Sequence, residues 1–262
     1  MNEKNKVIAI VQARTSSSRL PGKVLKKILG KPMILLELER LQRCRMINKI
    51  ILATSTDTSD DVLEETVKNA GFSTYQGNLN DVLDRYYKCA NQYSPVHVVR
   101  ITGDCPVIDP RIVDSIIIKH LQENNDYTSN VLEPATFPDG LDTEVIKFSA
   151  LEYAWKKAAL PSEREHVTQY IIKHPEIFKH GSIFCELSDI GGERWTVDEP
   201  EDFNFIQQIY ERLYPEKPIF LIEDILALLK DNPDLRKINL GFERNEGLVK
   251  SLKEDKIMKG EC

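Results

Sequence analysis

Apolar positions along this chain follow two rhythms. Val7-Ile8-Ala9-Ile10-Val11, Ile50-Ile51-Leu52-Ala53 and Val98-Val99 within 96–101 are near-continuous runs. Such runs suit strands buried on both faces of a parallel sheet. Between them apolar residues recur at helical spacing: Ile34, Leu35, Leu38 and Leu41 behind Pro32, and later Val82, Leu83 and Tyr86. Thr58 or Ser59 can cap a helix that runs to about Asn69 and ends at Gly71, ahead of a short strand over 72–76. This alternation predicts an α/β fold with a doubly wound, mainly parallel sheet, whose ligands bind at the carboxyl ends of the strands.

The second half is less regular. Strands are expected near 126–130, 143–146, 183–185 and 195–197. Helices are expected over 149–159, over 163–174 with Ser162 as cap, over 201–213 and near 222–229. The charged tail from Lys250 is expected to fray.

Charge changes the picture at one place. The chain of 262 residues carries a formal net charge of −6, which argues against general nucleic-acid binding. Yet from Lys4 to Leu36 there is no Asp or Glu, against eight Lys and Arg. Three of those cations, Arg14, Arg19 and Lys23, punctuate the loop Gln12-Ala13-Arg14-Thr15-Ser16-Ser17-Ser18-Arg19-Leu20-Pro21-Gly22-Lys23 that leaves the first strand. Small residues let backbone N–H groups approach an anion, the arginines can each present two N–H groups to phosphate, and Lys23 adds a point charge. The direct reading is a polyphosphate cradle. The alternative, a solvated basic loop, leaves the buried strand feeding it unexplained. Neither Gly-x-x-x-x-Gly-Lys-Ser/Thr nor Gly-x-Gly-x-x-Gly is present. The length suits one large α/β domain or two small ones. The five cysteines show no paired spacing, so reduced thiols and a cytoplasmic location are expected. No apolar run has the length of a membrane helix or of a signal-peptide core.

Two acids follow strand ends. Asp104, in Thr102-Gly103-Asp104-Cys105-Pro106, is either a turn aspartate before proline or a ligand for Mg²⁺. Asp198, in Arg194-Trp195-Thr196-Val197-Asp198-Glu199-Pro200-Glu201-Asp202, precedes a helix whose first turn suits Pro200, Glu201 and Asp202. Thr54 and Ser55 end the second strand. Asp81 and Arg85 stand one helical turn apart, as an i,i+4 salt bridge or as nucleoside contacts. Pro138-Asp139-Gly140-Leu141-Asp142-Thr143-Glu144 and Arg164-Glu165-His166-Val167-Thr168 lie in the irregular half. Arg164 and His166 either bind an acceptor anion or pair with neighbouring glutamates. His97 and His174 read as structural or solvated.

The basic loop resembles the nucleotide-binding signature of the cytidylyltransferases that make CMP-activated acidic sugars, the synthetases of CMP-acylneuraminate and CMP-3-deoxy-manno-octulosonate. The Gln-Ala-Arg opening is most similar to the branch of spore coat polysaccharide biosynthesis protein F. The resemblance runs over about residues 6–250. It implies a Rossmann-like nucleotidyltransferase fold with a small dimerisation insertion. Residues 1–215 would form the catalytic domain, with about 126–187 as the acceptor and dimerisation region. Residues 216–262 would form a C-terminal helical extension packed on the same domain.

The resemblance further implies Mg²⁺ held by Asp104 and Asp198, a pairing across about ninety residues that spacing rules do not reveal. It implies CTP bound through Gln12, Ala13, Arg14, Ser18, Arg19, Lys23, Thr102 and Gly103; position at the strand end adds Thr54 and Ser55 on the nucleoside side, and the loop from Gly77 adds Asp81 and Arg85. Thr102 stands where some relatives have Gln. Catalysis would rest on Arg14, Lys23, Asp104 and Asp198, and a small anionic acceptor would meet Asp139, Glu144, Arg164 and His166. The activity implied is transfer of CMP from CTP to an acidic sugar, phosphate or phosphonate, releasing pyrophosphate, by a cytoplasmic homodimer serving polysaccharide biosynthesis. The alternatives are a glycosyltransferase using a nucleotide sugar, which would need an Asp-x-Asp that Gly-Asp-Cys-Pro lacks, and a non-catalytic nucleotide-binding subunit.

Overall fold

The computed structural model describes residues 6–187, 190–242, 244 and 246–260. The parallel strands are β1 (Val7–Gln12), β4 (Lys49–Ser55), β5 (Ser73–Gly77) and β6 (His97–Thr102). The helices between and after them are α1 (Met33–Leu41), α2 (Asp61–Asn69), α3 (Val82–Asn91) and α4 (Pro110–Glu123). A short antiparallel ribbon, β2 (Lys27–Ile28) with β3 (Lys31–Pro32), precedes α1 and was not expected. The irregular half supplies β7 (Tyr127–Ser129), β8 (Glu144–Lys147), α5 (Phe148–Lys157), α6 (Pro161–Glu165), α7 (Gln169–Lys173) and β9 (His180–Ser182). The chain continues through α8 (Pro200–Leu213), α9 (Ile222–Asp231) and α10 (Glu246–Lys259).

The main sheet has seven strands in the order β5-β4-β1-β6-β8-β7-β9. Only β8 runs against its neighbours; the other pairings are parallel, as the doubly wound expectation required. The continuous apolar run of β1 has a direct cause. Val7, Ala9 and Val11 enter a core beneath α1, α4, α8 and α9, while Ile8 and Ile10 enter a second core beneath α3, α5 and α7. Side chains alternate faces along a strand, so a strand covered on both faces must be apolar at every position. Tyr86 spans the second core, its hydroxyl donating to the carbonyls of Ile10 at 3.0 Å and Ile101 at 3.1 Å.

Two expectations for the irregular half fail. Residues 163–174 do not form one helix: α6 ends at Glu165, Val167 takes the left-handed φ of 54°, and α7 begins at Gln169. Residues 183–185 and 195–197 form no strand; β9 lies just ahead of the first, and beside the second Arg194 makes an isolated bridge to Asp139. The segment from Lys250 continues α10. It is helical through Lys259, with Ser251 and Asp255 buried and Asp255 accepting from both the N–H and the hydroxyl of Ser162.

Candidate active site

Three parallel strands end at one edge of the sheet. Gln12 of β1 stands opposite Thr102 of β6, and β4 ends in Thr54 and Ser55 on the other side of β1. The Gly103 N–H donates to the Gln12 carbonyl at 2.8 Å. A Cβ at Gly103 would lie 2.8 Å from the Ala13 Cβ and 3.0 Å from the Ile34 Cδ1, so a side chain there would push β6 off the loop. Gln12, Ala13, Thr102 and Gly103 are thereby brought together.

The basic loop folds back on itself. Gly22, at φ 66°, donates its N–H to the Thr15 carbonyl at 2.9 Å. Thr15 donates from its N–H and its hydroxyl to the buried Asp60, each at 2.7 Å. Ser55 donates to the same carboxylate, so this candidate nucleoside contact serves to anchor the loop. Burial raises the Asp60 pKa, and the donors from Ser55 and Thr15 overcome that, leaving it below the usual carboxylate range. Arg14 and Ser18 are exposed on the loop surface.

Lys23 is not on that surface. It is buried, and its ammonium donates to Asp104 Oδ2 at 2.9 Å, Asp198 Oδ1 at 2.8 Å and the Val197 carbonyl at 2.8 Å. The two acids, far apart in sequence, meet because Val197 donates its N–H to the Asp104 carbonyl at 2.9 Å. Burial lowers the lysine pKa, but the two carboxylates outweigh it and hold the ammonium above the ordinary lysine range. Burial raises Asp104, and Lys23 with the Thr102 hydroxyl brings it below the usual carboxylate value. Arg19 has no acid near it in sequence. In space it meets Asp198 Oδ1 at 3.0 Å, Glu199 at 3.3 Å and Glu246 of α10 at 2.7 Å.

Residues expected on the nucleotide side and on the acceptor side touch at one point. Asp81 caps α3, accepting the Asp84 N–H at 2.9 Å, and it also pairs with Arg164, expected on the acceptor side. Arg85 turns from Asp81 to donate to the carbonyls of Asn78 at 2.6 Å and Leu79 at 3.3 Å, so the i,i+4 pair is not formed. Glu144 is closed in: it accepts from Arg100, from the Tyr127 hydroxyl at 2.6 Å and from the Thr168 hydroxyl at 2.8 Å. His166 shares a hydrogen bond with the Ser251 hydroxyl at 3.0 Å. Asp139 accepts from Arg194 at 3.1 Å, and burial raises its pKa.

Three residues given no role by the sequence belong to this neighbourhood. Arg194 donates to Asp139, to Asp198 at 3.3 Å and to Asp202 at 2.9 Å, which fixes the Asp198 carboxylate from behind. Its position four residues before Asp198 was the available signal. Glu37 is fully buried in α1, accepts the Cys105 N–H at 3.1 Å, and is driven well above the carboxylate range by burial and by Asp104. It was visible as an acid on an apolar helix face. Arg244 reaches from the C-terminal segment to Asp142 at 2.6 Å. Burial, opposed by Arg244, pushes the Asp142 carboxyl up to about 7.

Among the described residues no three His, Cys, Asp or Glu side chains converge as a metal cluster. The two carboxylates on Lys23 nevertheless fit Mg²⁺ chemistry, since this ion takes one or two carboxylates and completes its shell with water and nucleotide phosphates. The ammonium between them is a cation already held at that spot.

The fold is that of the α/β nucleotidyltransferases, with the acids and the basic loop at the carboxyl edge of the sheet. The chain belongs to the cytidylyltransferase family, whose model matches residues 8–258. It is therefore a CTP-dependent nucleotidyltransferase. Spore coat polysaccharide biosynthesis protein SpsF of Bacillus subtilis is 31% identical over 88% of this chain and 96% of its own length. A cytidylyltransferase structure from Leptospira borgpetersenii serovar Hardjo-bovis superposes with a TM-score of 0.84 at 31% identity, covering 91% of this chain and 100% of that one. The 3-deoxy-manno-octulosonate cytidylyltransferase of Sodalis glossinidius is 25% identical over 80% of this chain and 86% of its length.

Proposed function

We propose that this chain transfers CMP from CTP to an acidic sugar, or to a related phosphate or phosphonate, in a Mg²⁺-dependent reaction that releases pyrophosphate for surface polysaccharide or glycoconjugate biosynthesis. The observation that carries the reading is the convergence of Asp104 and Asp198 on one cation beside the basic loop, at the edge where β1 and β6 end. The names of the relatives support the direction of the acceptor: one is a polysaccharide biosynthesis protein and another acts on 3-deoxy-manno-octulosonate.

In this reading Asp104 and Asp198 hold Mg²⁺, which when bound polarises the α-phosphate and lowers the pKa of the acceptor hydroxyl. The chain's own part is positioning and charge. Arg14, Arg19 and Lys23 take the phosphates that leave as pyrophosphate, where negative charge grows. Arg194 keeps the Asp198 carboxylate oriented. Gln12, Ala13, Thr102 and Gly103 line the approach of the nucleotide, with Thr54, Asp81 and Arg85 toward the nucleoside. Arg164 and His166 serve the acceptor from α6, with Asp139 nearby.

A pyrophosphate-release screen crossing the four nucleoside triphosphates with a panel of sugar acids, sugar phosphates and phosphonates tests this. Release only with CTP and one anionic acceptor, and only with Mg²⁺, is expected; release without a divalent ion would overturn the metal assignment. A cytoplasmic homodimer through the irregular half belongs to the same reading. Its support is β9, a terminal strand of the sheet, with Ile177, Phe184 and Leu187 exposed around it. Analytical ultracentrifugation giving a monomer at micromolar concentration would remove the dimer.

A further inference from the structure

The ammonium of Lys23 has three N–H donors, and all three are taken: one by each acid and one by the Val197 carbonyl. The lysine opens the short 3-10 turn Lys23–Leu25 directly behind Gly22, and it is buried, so the ammonium is seated by the backbone and not resting there from solvent. Two further cations crowd the same carboxylates. Arg19 lies 3.0 Å from Asp198 Oδ1, the oxygen that Lys23 also uses, and Arg194 lies 3.3 Å from Asp198 Oδ2. Three cations thus lean on the two acids, although Arg19 is shared with Glu199 and Glu246, and Arg194 with Asp139 and Asp202. A divalent ion entering alone would meet the ammonium at hydrogen-bond range, where like charges repel strongly. The seat between the two acids is already filled by the ammonium, which the ion would have to displace.

A nucleoside triphosphate reverses this balance. It carries about four negative charges at neutral pH and offers Lys23 and Arg19 phosphate oxygens in place of carboxylates. Resting on the reading of Asp104 and Asp198 as metal ligands, we propose that Lys23 is a built-in cation which closes the acid pair to divalent metal until a triphosphate draws the ammonium away. Metal and nucleotide then enter as one unit. Lys23 thereby acts twice, as counter-ion of the acids in the free chain and as phosphate ligand in the loaded one. The second cation is tethered in the same way: Arg19 is held in the free chain by Glu199 and by Glu246 of α10.

The test is a Mn²⁺ titration of the nucleotide-free protein, following loss of the free-ion electron paramagnetic resonance signal. Wild type should leave that signal nearly as in buffer. Lys23→Met should take up one Mn²⁺ per chain at least about tenfold more tightly, and Lys23→Met with Asp104→Asn should lose that uptake. Wild type binding Mn²⁺ as tightly as Lys23→Met, through Asp104, overturns the proposal. Should Lys23→Met fail to fold by circular dichroism, wild type decides alone. A non-hydrolysable CTP analogue should then create an Asp104-dependent Mn²⁺ site, seen by water-proton relaxation, where none existed before it was added. A site already filled without the analogue overturns the proposal. A site formed with the analogue but not in folded Lys23→Met defeats the closing role and leaves the metal ligands standing. No Asp104-dependent Mn²⁺ under any of these conditions defeats both.

Discussion

Two charged clusters sit at β6 and differ in what they leave open. At its carboxyl end, Asp104 and Asp198 hold Lys23, and the acid side chains keep 24% and 22% of their surface in solvent. On its body, Arg100 faces Glu144 across the β6–β8 pairing, and the Glu144 side chain keeps only 4%. The first cluster is assembled from three segments far apart in sequence: the turn that closes the basic loop, the end of β6 and the approach to α8. The second is built from registered strand partners, with hydroxyls of Tyr127 and Thr168 closing the remaining carboxylate oxygen. Both contain ion pairs with a buried partner, but only the first leaves its carboxylates open to solvent. Burial and charge pairing alone therefore do not mark a site; unsaturated access does. Glu144, expected to meet the acceptor, lacks such access in the free chain.

The sharpest break between the clusters is catalytic. Asp104→Asn and Asp198→Asn should each lower kcat by roughly a thousandfold, the scale of losing a group that acts on developing charge, while circular dichroism reports a folded protein. Near-normal pyrophosphate release by either folded variant removes that acid from the site. Lys23→Ala should lower kcat/KM for CTP by roughly tenfold to a thousandfold, with normal turnover and normal CTP titration excluding it from the phosphate cradle.

Glu144→Ala should act in the opposite currency. Removing one partner of a buried pair strands the Arg100 charge and costs about 3–5 kcal/mol of stability, read as a drop in the denaturant midpoint. The protein that remains folded should keep its kcat. A large loss of kcat at unchanged stability would return Glu144 to the acceptor site.

What the sequence could show divides along the same line. β1, β4 and β6 were legible because burial on two faces leaves an apolar run that nothing else explains. The break between α6 and α7 was not, since no residue there announces the left-handed φ that Val167 adopts. The segment around Trp195 is apolar because it is core, not because it joins the ladder. The helix α10 hides behind charged residues because its anchors are polar, Ser251 to His166 and Asp255 to Ser162. Within the site, motif resemblance picked out the acids and the lysine. It could not place the lysine between the acids, because that contact spans 81 and 175 positions and depends on the Val197–Asp104 backbone bond.

A smaller effect probes the boundary between nucleotide and acceptor residues. Asp81 and Arg164 are both partly exposed, so their pairing is worth about 1 kcal/mol at most. A double-mutant cycle of Asp81→Ala and Arg164→Ala on KM for CTP and for the acceptor should show coupling of that size. Coupling confined to the acceptor would restore the division between the two halves, and none at all would make the pair incidental.

The smallest effect at neutral pH belongs to a third cluster, closed like the one around Glu144. His97 of β6 and His120 of α4 share a 2.9 Å hydrogen bond, and His120 meets the Thr128 hydroxyl at 3.0 Å. Burial lowers His97 to about 4, with the Lys147 charge adding to it. Burial, then His97 and Lys147, lower His120 to about 3. Both groups are bases whose folded pKa lies below the unfolded value of about 6.5. The unfolded chain therefore binds more protons as pH falls from about 6.5 toward 4, and stability is lost across that window. Above it the pair contributes its full stability and the curve is flat. His120→Gln can keep a hydrogen bond to Thr128 but cannot take up a proton, so it should flatten the acid limb of a urea midpoint against pH profile. It should leave kcat at pH 7.5 unchanged, because the pair has no contact with the acids at the sheet edge. An acid limb as steep in His120→Gln as in wild type would take His120 out of the loss and leave it to His97 and the carboxylates. A fall in kcat would show that this end of β6 is coupled to the other.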